Sequence, residues 1–188
     1  KANDELKAKQ LIDPVAEEIY KRLGKNIYAE GETTLSKVVG DMLIEKNKTI
    51  AVSESCTGGL LASAFVDNPG ISSVFKEGAV TYSNEAKINR LGVKAETLEK
   101  YGAVSAETAA EMALGIAKTA GTSIGMSTTG VAGPDGGTDE KPVGLVYMGL
   151  CIDGNVKTRK FTFAGNREKI RGRAVSAALN WLRMEIMD

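Results

Sequence analysis

From Thr33 onward, short strand-like runs alternate with amphipathic helix-like runs, and then two strand-like runs follow one another directly. Thr49-Ile50-Ala51-Val52-Ser53, Gly78-Ala79-Val80-Thr81-Tyr82 and Ser123 to Thr128 each end in a turn or glycine-rich segment. Helical spacing links Leu35, Val38, Val39, Met42 and Leu43 before the first of these, and Leu60, Leu61, Ala64 and Phe65 after it. Strands separated by helices pair in parallel, because the helix carries the crossover. Leu145 to Ile152 and Val156 to Phe163 instead flank Asp153-Gly154, a two-residue hairpin signal that adds an antiparallel portion. The pattern predicts an α/β fold: a three-layer α/β/α domain with a mixed, largely parallel sheet.

Local signals set the helix boundaries. Thr33 or Thr34 caps the helix through Leu43, and Gly58 to Asp67 is broken by Asn68-Pro69-Gly70. Asn84 to Leu91 is closed by Gly92, and Ala95 to Lys100 forms a short helix. Ser105 caps a helix ending at Gly121, with Met112, Ala113 and Ile116 on its apolar stripe. Asn166 caps a final helix to about Met187. Near the start, Asp13-Pro14 reads as N-cap and first helical residue, with Val15, Ile19 and Leu23 at helical spacing and Gly24 as the stop. Residues 26–31 follow as a short strand or linker. Residues 1–31 are therefore expected to be a helix and linker, the tail of a preceding domain, and residues 32–188 one domain.

The 188 residues suffice for one full domain with an appendage. Lys+Arg and Asp+Glu number 24 each, so no net charge draws the chain to nucleic acid or anionic membrane. No apolar run approaches a membrane span. No signal peptide is visible, and a first residue of Lys1 points to a fragment or a trimmed chain. Cys56 and Cys151 offer neither a disulfide framework nor a metal spacing, which fits a reduced cytoplasmic protein. With no histidine, a transition-metal site is not expected, and no cofactor is implied.

The first strand runs into Glu54-Ser55-Cys56-Thr57-Gly58-Gly59 and then into a helix. Ligand sites of α/β proteins lie beyond the carboxyl ends of strands. Without histidine, a nucleophile here has no imidazole base, so Ser-His-Asp and Cys-His arrangements are excluded. Thr57 is placed to cap the helix. Ser55 and Cys56 remain as nucleophiles, against the plain alternative of a second cap and a small buried thiol. Gly58 and Gly59, costly in a helix, point to close approach of a ligand to amides that favour an oxyanion or phosphate.

Three further segments carry candidates. Thr81-Tyr82-Ser83-Asn84-Glu85-Ala86-Lys87 also ends a strand and starts a helix. Lys87 in that first turn faces the positive end of the dipole, which favours its neutral form. A neutral amine can act as base to a serine, with Tyr82 relaying the proton. The alternative packs Tyr82 on the sheet and leaves Lys87 in solvent. The run Thr129 to Gly137, holding Gly130, Gly133, Gly136 and Gly137, is either backbone wrapped around a ligand or a plain long loop. It matches neither a P-loop nor a dinucleotide fingerprint. Arg167 opposes the dipole at a helix start, which marks either a phosphate ligand or an ordinary basic face shared with Lys169, Arg171 and Arg173.

Together Val52 to Gly59, Val80 to Lys87, Tyr101-Gly102-Ala103-Val104-Ser105, Gly130 to Gly137 and Glu140-Lys141-Pro142-Val143-Gly144 resemble the C-terminal domain of the CinA family, the competence/damage-inducible proteins. The likeness runs from about Thr33 to the end. It implies hydrolysis of the carboxamide of nicotinamide mononucleotide to nicotinate mononucleotide and ammonia, by a serine amidohydrolase in pyridine nucleotide salvage. The family's serine, tyrosine and lysine fall on Ser55, Tyr82 and Lys87. Amides around Cys56, Thr57, Gly58 and Gly59 would hold the oxyanion. Arg167 with Gly133, Gly136 and Gly137 would hold the substrate phosphate, and Asn84 and Thr129 would orient the amide. The resemblance further implies a homodimer, and it makes residues 1–31 similar to the end of the central domain of longer members, in which an N-terminal domain similar to molybdopterin-binding proteins comes first. The rival expectations are a non-catalytic nucleotide-binding or interaction domain in competence, with a recombinase as partner, and a phosphohydrolase. Neither direct nucleic-acid binding nor membrane binding is expected.

Overall fold

A computed structural model describes residues 2–187. Five strands form one sheet: β1 (Ile50–Glu54), β2 (Phe75–Val80), β3 (Ile124–Gly130), β4 (Leu145–Ile152) and β5 (Asn155–Thr162), in the order β2-β1-β3-β4-β5. β1 lies parallel to β2 and β3, while β3–β4 and β4–β5 are antiparallel, so only β4 runs against the other four. The expected mixed, largely parallel sheet is present. Its hairpin turns at Asp153 and Gly154, both at positive φ.

Seven helices accompany the sheet: α1 (Glu5–Leu23), α2 (Leu35–Glu45), α3 (Leu60–Val66), α4 (Asn84–Leu91), α5 (Ala95–Tyr101), α6 (Ala106–Ala120) and α7 (Arg167–Ile186). The two faces of the sheet are built from residues of different size. Strand alternation sends Ile50, Val52, Ile124, Met126, Met148 and Leu150 into a large apolar cluster with α2, α3 and α7. The opposite face carries Ala51, Ser53, Gly125, Ser127 and Gly149, and α6 lies directly upon it. A Cβ on Gly125 would stand 2.1 Å from the Ala113 carbonyl oxygen, and one on Gly149 would stand 2.2 Å from that of Ala109. Ser127 Oγ donates to the Ala109 carbonyl at 2.6 Å, so the small face also satisfies its polar groups. α4 and α5 pack outside α6. The three layers follow.

The predicted caps Thr34, Ser105 and Asn166 each accept a backbone N–H at the start of α2, α6 and α7, and Ser83, not singled out as a cap from sequence, does the same for α4. Three elements differ in their bounds, and the first is β2, which runs from Phe75 to Val80 rather than over the expected Gly78 to Tyr82. α1 starts at Glu5, capped by Asp4, and carries Pro14 in its interior rather than at its first position. α3 starts at Leu60, not Gly58, because Gly58 and Gly59 have φ of 60° and 95° and form the turn before it. α1 buries no residue, and Leu11, Val15, Ile19 and Leu23 all stay exposed. Behind it Arg183, itself buried, donates to the Lys25 carbonyl at 2.6 Å and ties the linker to α7.

Candidate active site

The ends of β1, β2 and β3 meet in a cleft of about 210 Å³ lined by Ser55, Tyr82, Lys87, Ala103, Thr129 and Arg167, with Cys56 and Ala132 at its wall. Alternation explains why Ser55 faces it. Ser53 points to α6, where its hydroxyl donates to the Met112 carbonyl, and Glu54 points to α3. Ser55, next in line, returns to the α4/α6 side, and its N–H donates to the Thr128 carbonyl at 2.9 Å.

Lys87 reaches the cleft from the first turn of α4 and is 0% exposed. Its Nζ lies 3.2 Å from Ser55 Oγ, 2.9 Å from the Thr81 carbonyl and 3.1 Å from the Tyr82 carbonyl. Burial pushes the Lys87 amine below the ordinary lysine range, because the charged form is the one that loses water. A neutral amine has two N–H groups and one lone pair. In that form the two carbonyls would take the N–H groups and leave the lone pair to the serine hydroxyl, whereas a protonated amine would donate to all three oxygens. Burial also bears on the other candidate nucleophile. It pushes the Cys56 thiol up to about 12, so the thiol stays protonated near neutral pH and is a weak nucleophile.

The other expected residues divide. Tyr82 lines the cleft, but its side chain is largely exposed, and its hydroxyl accepts from Arg167 at 3.4 Å; it meets Lys87 through its backbone carbonyl. Arg167 also donates to the Gly133 carbonyl at 2.9 Å, which brings Gly133 to the rim. Thr129 lines the cleft with its hydroxyl donated to the Ala103 carbonyl at 2.7 Å. Asn84, Gly136 and Gly137 are exposed and stand outside the cleft lining, and Thr57, Gly58 and Gly59 lie outside it as well. Thr57 does not cap α3: the strand-to-helix turn is longer than expected, and its hydroxyl pairs instead with Thr128 Oγ1 at 2.6 Å. The Gly59 N–H is not free for a ligand, because it donates to Glu54 at 3.0 Å. Among the described residues, the N–H groups of Cys56, Thr57 and Gly58 have no acceptor on another residue.

Glu54, Arg171 and the pair Ala103 and Val104 were given no role at the site from sequence. Glu54 caps α3 from within the strand, and Arg171 donates through Nη2 to the Thr57 carbonyl at 2.7 Å. Glutamate at the last position of an otherwise uncharged strand was the available signal for the first. Among the described residues no group of three or more His, Cys, Asp or Glu side chains could hold a metal ion, and no helix is long and apolar enough to cross a membrane.

A serine thus touches a buried lysine at the strand ends of a three-layer α/β domain. The CinA C-terminal domain family model matches residues 32–186. The chain is 64% identical over 188 residues to a protein of Clostridium acetobutylicum that carries the name competence-damage inducible protein, covering 100% of this chain and 46% of that one. Against a Clostridium perfringens protein of the same name the identity is 62% over 186 residues, covering 99% and 45%. A solved CinA superfamily protein of Klebsiella pneumoniae superposes with a TM-score of 0.79 at 37% identity, covering 81% of this chain and 95% of that chain. One from Escherichia coli gives 0.77 at 34% identity, covering 86% and 98%. The chain belongs to the CinA C-terminal domain family, and it spans about half the length of the curated relatives it matches.

Proposed function

We propose that this domain hydrolyses a carboxamide by a Ser–Lys mechanism, with nicotinamide mononucleotide as substrate. The observation that supports it most is the 3.2 Å contact between Ser55 Oγ and the buried Lys87 Nζ. Neutral Lys87 takes the Ser55 proton as Oγ attacks the amide carbon. The N–H groups of Cys56, Thr57 and Gly58 are the donors offered to the resulting oxyanion. The Lys87 ammonium returns the proton to the departing nitrogen, ammonia leaves, and an acyl-serine remains. Water, activated by the same amine, then releases the acid and restores the Ser55 hydroxyl.

The substrate assignment comes from the resemblance together with the cleft. At about 210 Å³ the cleft is smaller than the ~300 Å³ or more usual for a whole ligand, so it suits a pyridine amide with its ribose phosphate outside. Arg167 at the rim is the cation offered to that phosphate. Tyr82, held by Arg167, closes the same side and is offered to the leaving nitrogen.

The test is purified protein with nicotinamide mononucleotide, following ammonia and nicotinate mononucleotide. Release by the wild type and Cys56→Ala, with none from Ser55→Ala, is expected. Binding without ammonia would replace the enzyme by a nucleotide-binding module, and phosphate release would replace it by a phosphohydrolase. We also infer that α1 ends a preceding unit of longer relatives, since its apolar stripe is uncovered here and the family match begins at residue 32. Amide exchange across residues 5–23 is expected to be slower in the longer polypeptide; equal rates would remove that inference.

A further inference from the structure

The Ser55–Lys87 contact joins two segments 32 residues apart, and one residue touches the support of both. Glu54 is 0% exposed, although its side chain ends in a carboxylate. Its Oε2 accepts the N–H groups of Gly59 and Leu61, each at 3.0 Å, and its Oε1 accepts that of Ala62 at 2.8 Å. The last residue of β1 is thereby tied to the start of α3, and the turn carrying Ser55 is held between the two. The backbone carbonyl of Glu54 accepts the Thr81 N–H at 2.8 Å, and the Thr81 carbonyl in turn accepts from Lys87 Nζ. One chain of hydrogen bonds therefore runs from the turn of the serine, through Glu54 and Thr81, to the amine of the lysine.

We propose that Glu54 is a positioning residue that sets the register between Ser55 and Lys87. The inference rests on the Ser55–Lys87 reading given above. A buried carboxylate is retained only where donors replace its water, and three aligned N–H groups do so here. A helix cap alone would be met by the serine or threonine hydroxyls that cap α2, α4 and α6. The carboxylate does more, because its two oxygens fix three amides at once and so fix the angle at which α3 leaves the strand. Arg171 on the Thr57 carbonyl and Thr128 on the Ser55 N–H hold the same turn from α7 and β3. Glu54 supplies the remaining side. It also consumes the Gly59 amide, so that the amides of Cys56, Thr57 and Gly58 are the ones left without an acceptor on another residue.

Glu54→Gln tests this, since glutamine offers one acceptor oxygen where two are used and turns an N–H₂ toward a backbone N–H. The readouts are kcat and KM with nicotinamide mononucleotide, and the rate at which a fluorophosphonate labels Ser55, which needs no amide turnover. Expected are a fall in kcat of about 10- to 100-fold and a similar slowing of labelling in folded protein, because displacement near 1 Å costs that much. KM should stay within about threefold. Thr34→Ala, which removes the cap of α2, is the control. It should lower Tm while leaving kcat and labelling unchanged. Glu54→Gln with a lowered Tm but wild-type kcat and labelling would reduce Glu54 to a cap and overturn the proposal. Where Glu54→Gln does not fold, Glu54→Asp carries the test, with an intermediate loss expected in kcat and none in KM. If Ser55→Ala is still labelled and still turns over, the serine reading fails. If only Ser55→Ala is silent while both Glu54 variants are normal, this inference alone fails.

Discussion

The segments after β1 and β3 look alike in sequence and differ in the folded protein. Both leave a strand with several glycines, and both read as backbone wrapped around a ligand. After β1, the turn from Ser55 to Gly59 is pinned by Glu54, Thr128 and Arg171, and Gly58 and Gly59 supply the positive φ that lets it turn tightly. After β3, Gly133 is buried and held by Arg167, whereas Gly136 and Gly137 are exposed and away from the cleft. Glycine density reports a requirement of the backbone. It does not separate a turn that carries chemistry from a loop that closes one.

The sharpest way to break the comparison is to remove what only the first turn holds. Ser55→Ala should lower kcat by about 10⁴-fold or more with the fold intact, as loss of a nucleophile does elsewhere. Near-normal turnover would place the chemistry outside this turn. Lys87→Met should cost about 10²- to 10⁴-fold, the usual scale of a positioned base. The wild-type rate should rise with pH as Lys87 loses its proton, in a limb lying below the ordinary lysine value of 10.5 because burial lowers it. Stability has the same sign. Between the lowered value in the folded protein and the ordinary value in the unfolded chain, the unfolded state binds more protons, so stability gains with rising pH. Lys87→Met should lack that gain, and Tm measured across pH 7 to 10 for both proteins checks it. Parallel pH profiles would mean that Lys87 is not held neutral.

The layers, the hairpin and three caps were legible because each rests on local chemistry: alternation, helical spacing, or a hydroxyl or amide side chain before an amphipathic run. That Ser55, Lys87 and Tyr82 share one cleft could be expected because missing histidine left few bases and the resemblance named the positions. Sequence did not show that Tyr82 supplies Lys87 with its carbonyl while its hydroxyl turns to Arg167. That depends on where β2 ends, at Val80, two residues before the end of the expected strand Gly78 to Tyr82. Nor did it show Glu54 as the cap of α3, since the cap sits six residues before the helix and across a turn. Contacts closed by tertiary geometry leave no period in the sequence.

Arg167 is where the two segments touch, so it sharpens the boundary between them. It bonds the Gly133 carbonyl of one and faces the Tyr82 hydroxyl beside the other. With a phosphate at the rim, Arg167→Ala should raise KM about 10- to 100-fold, the value of a charged hydrogen bond or two, while kcat changes far less. Inorganic phosphate should inhibit the wild type and not the variant. An effect confined to kcat would move Arg167 from the phosphate to the reacting amide.

The smallest effects give the most direct comparison, because Gly58→Ala and Gly136→Ala impose the same backbone strain on the two segments. Both glycines have left-handed φ, 60° and 84°, so an alanine costs each about 1 kcal/mol. Their surroundings differ. A Cβ at Gly136 finds its nearest neighbour, Val131 Cγ1, at 4.0 Å, whereas one at Gly58 meets Arg171 Nη2 at 3.2 Å. That nitrogen is the one donating to the Thr57 carbonyl, so a shift of a few tenths of an ångström passes into the serine's turn. The two variants should lose similar Tm. Gly58→Ala should also lose kcat by about 3- to 10-fold, while Gly136→Ala stays within about twofold. Equal losses of kcat would mean that the loop after β3 takes part in the chemistry through its tip, and the distinction between the two glycine segments would not hold.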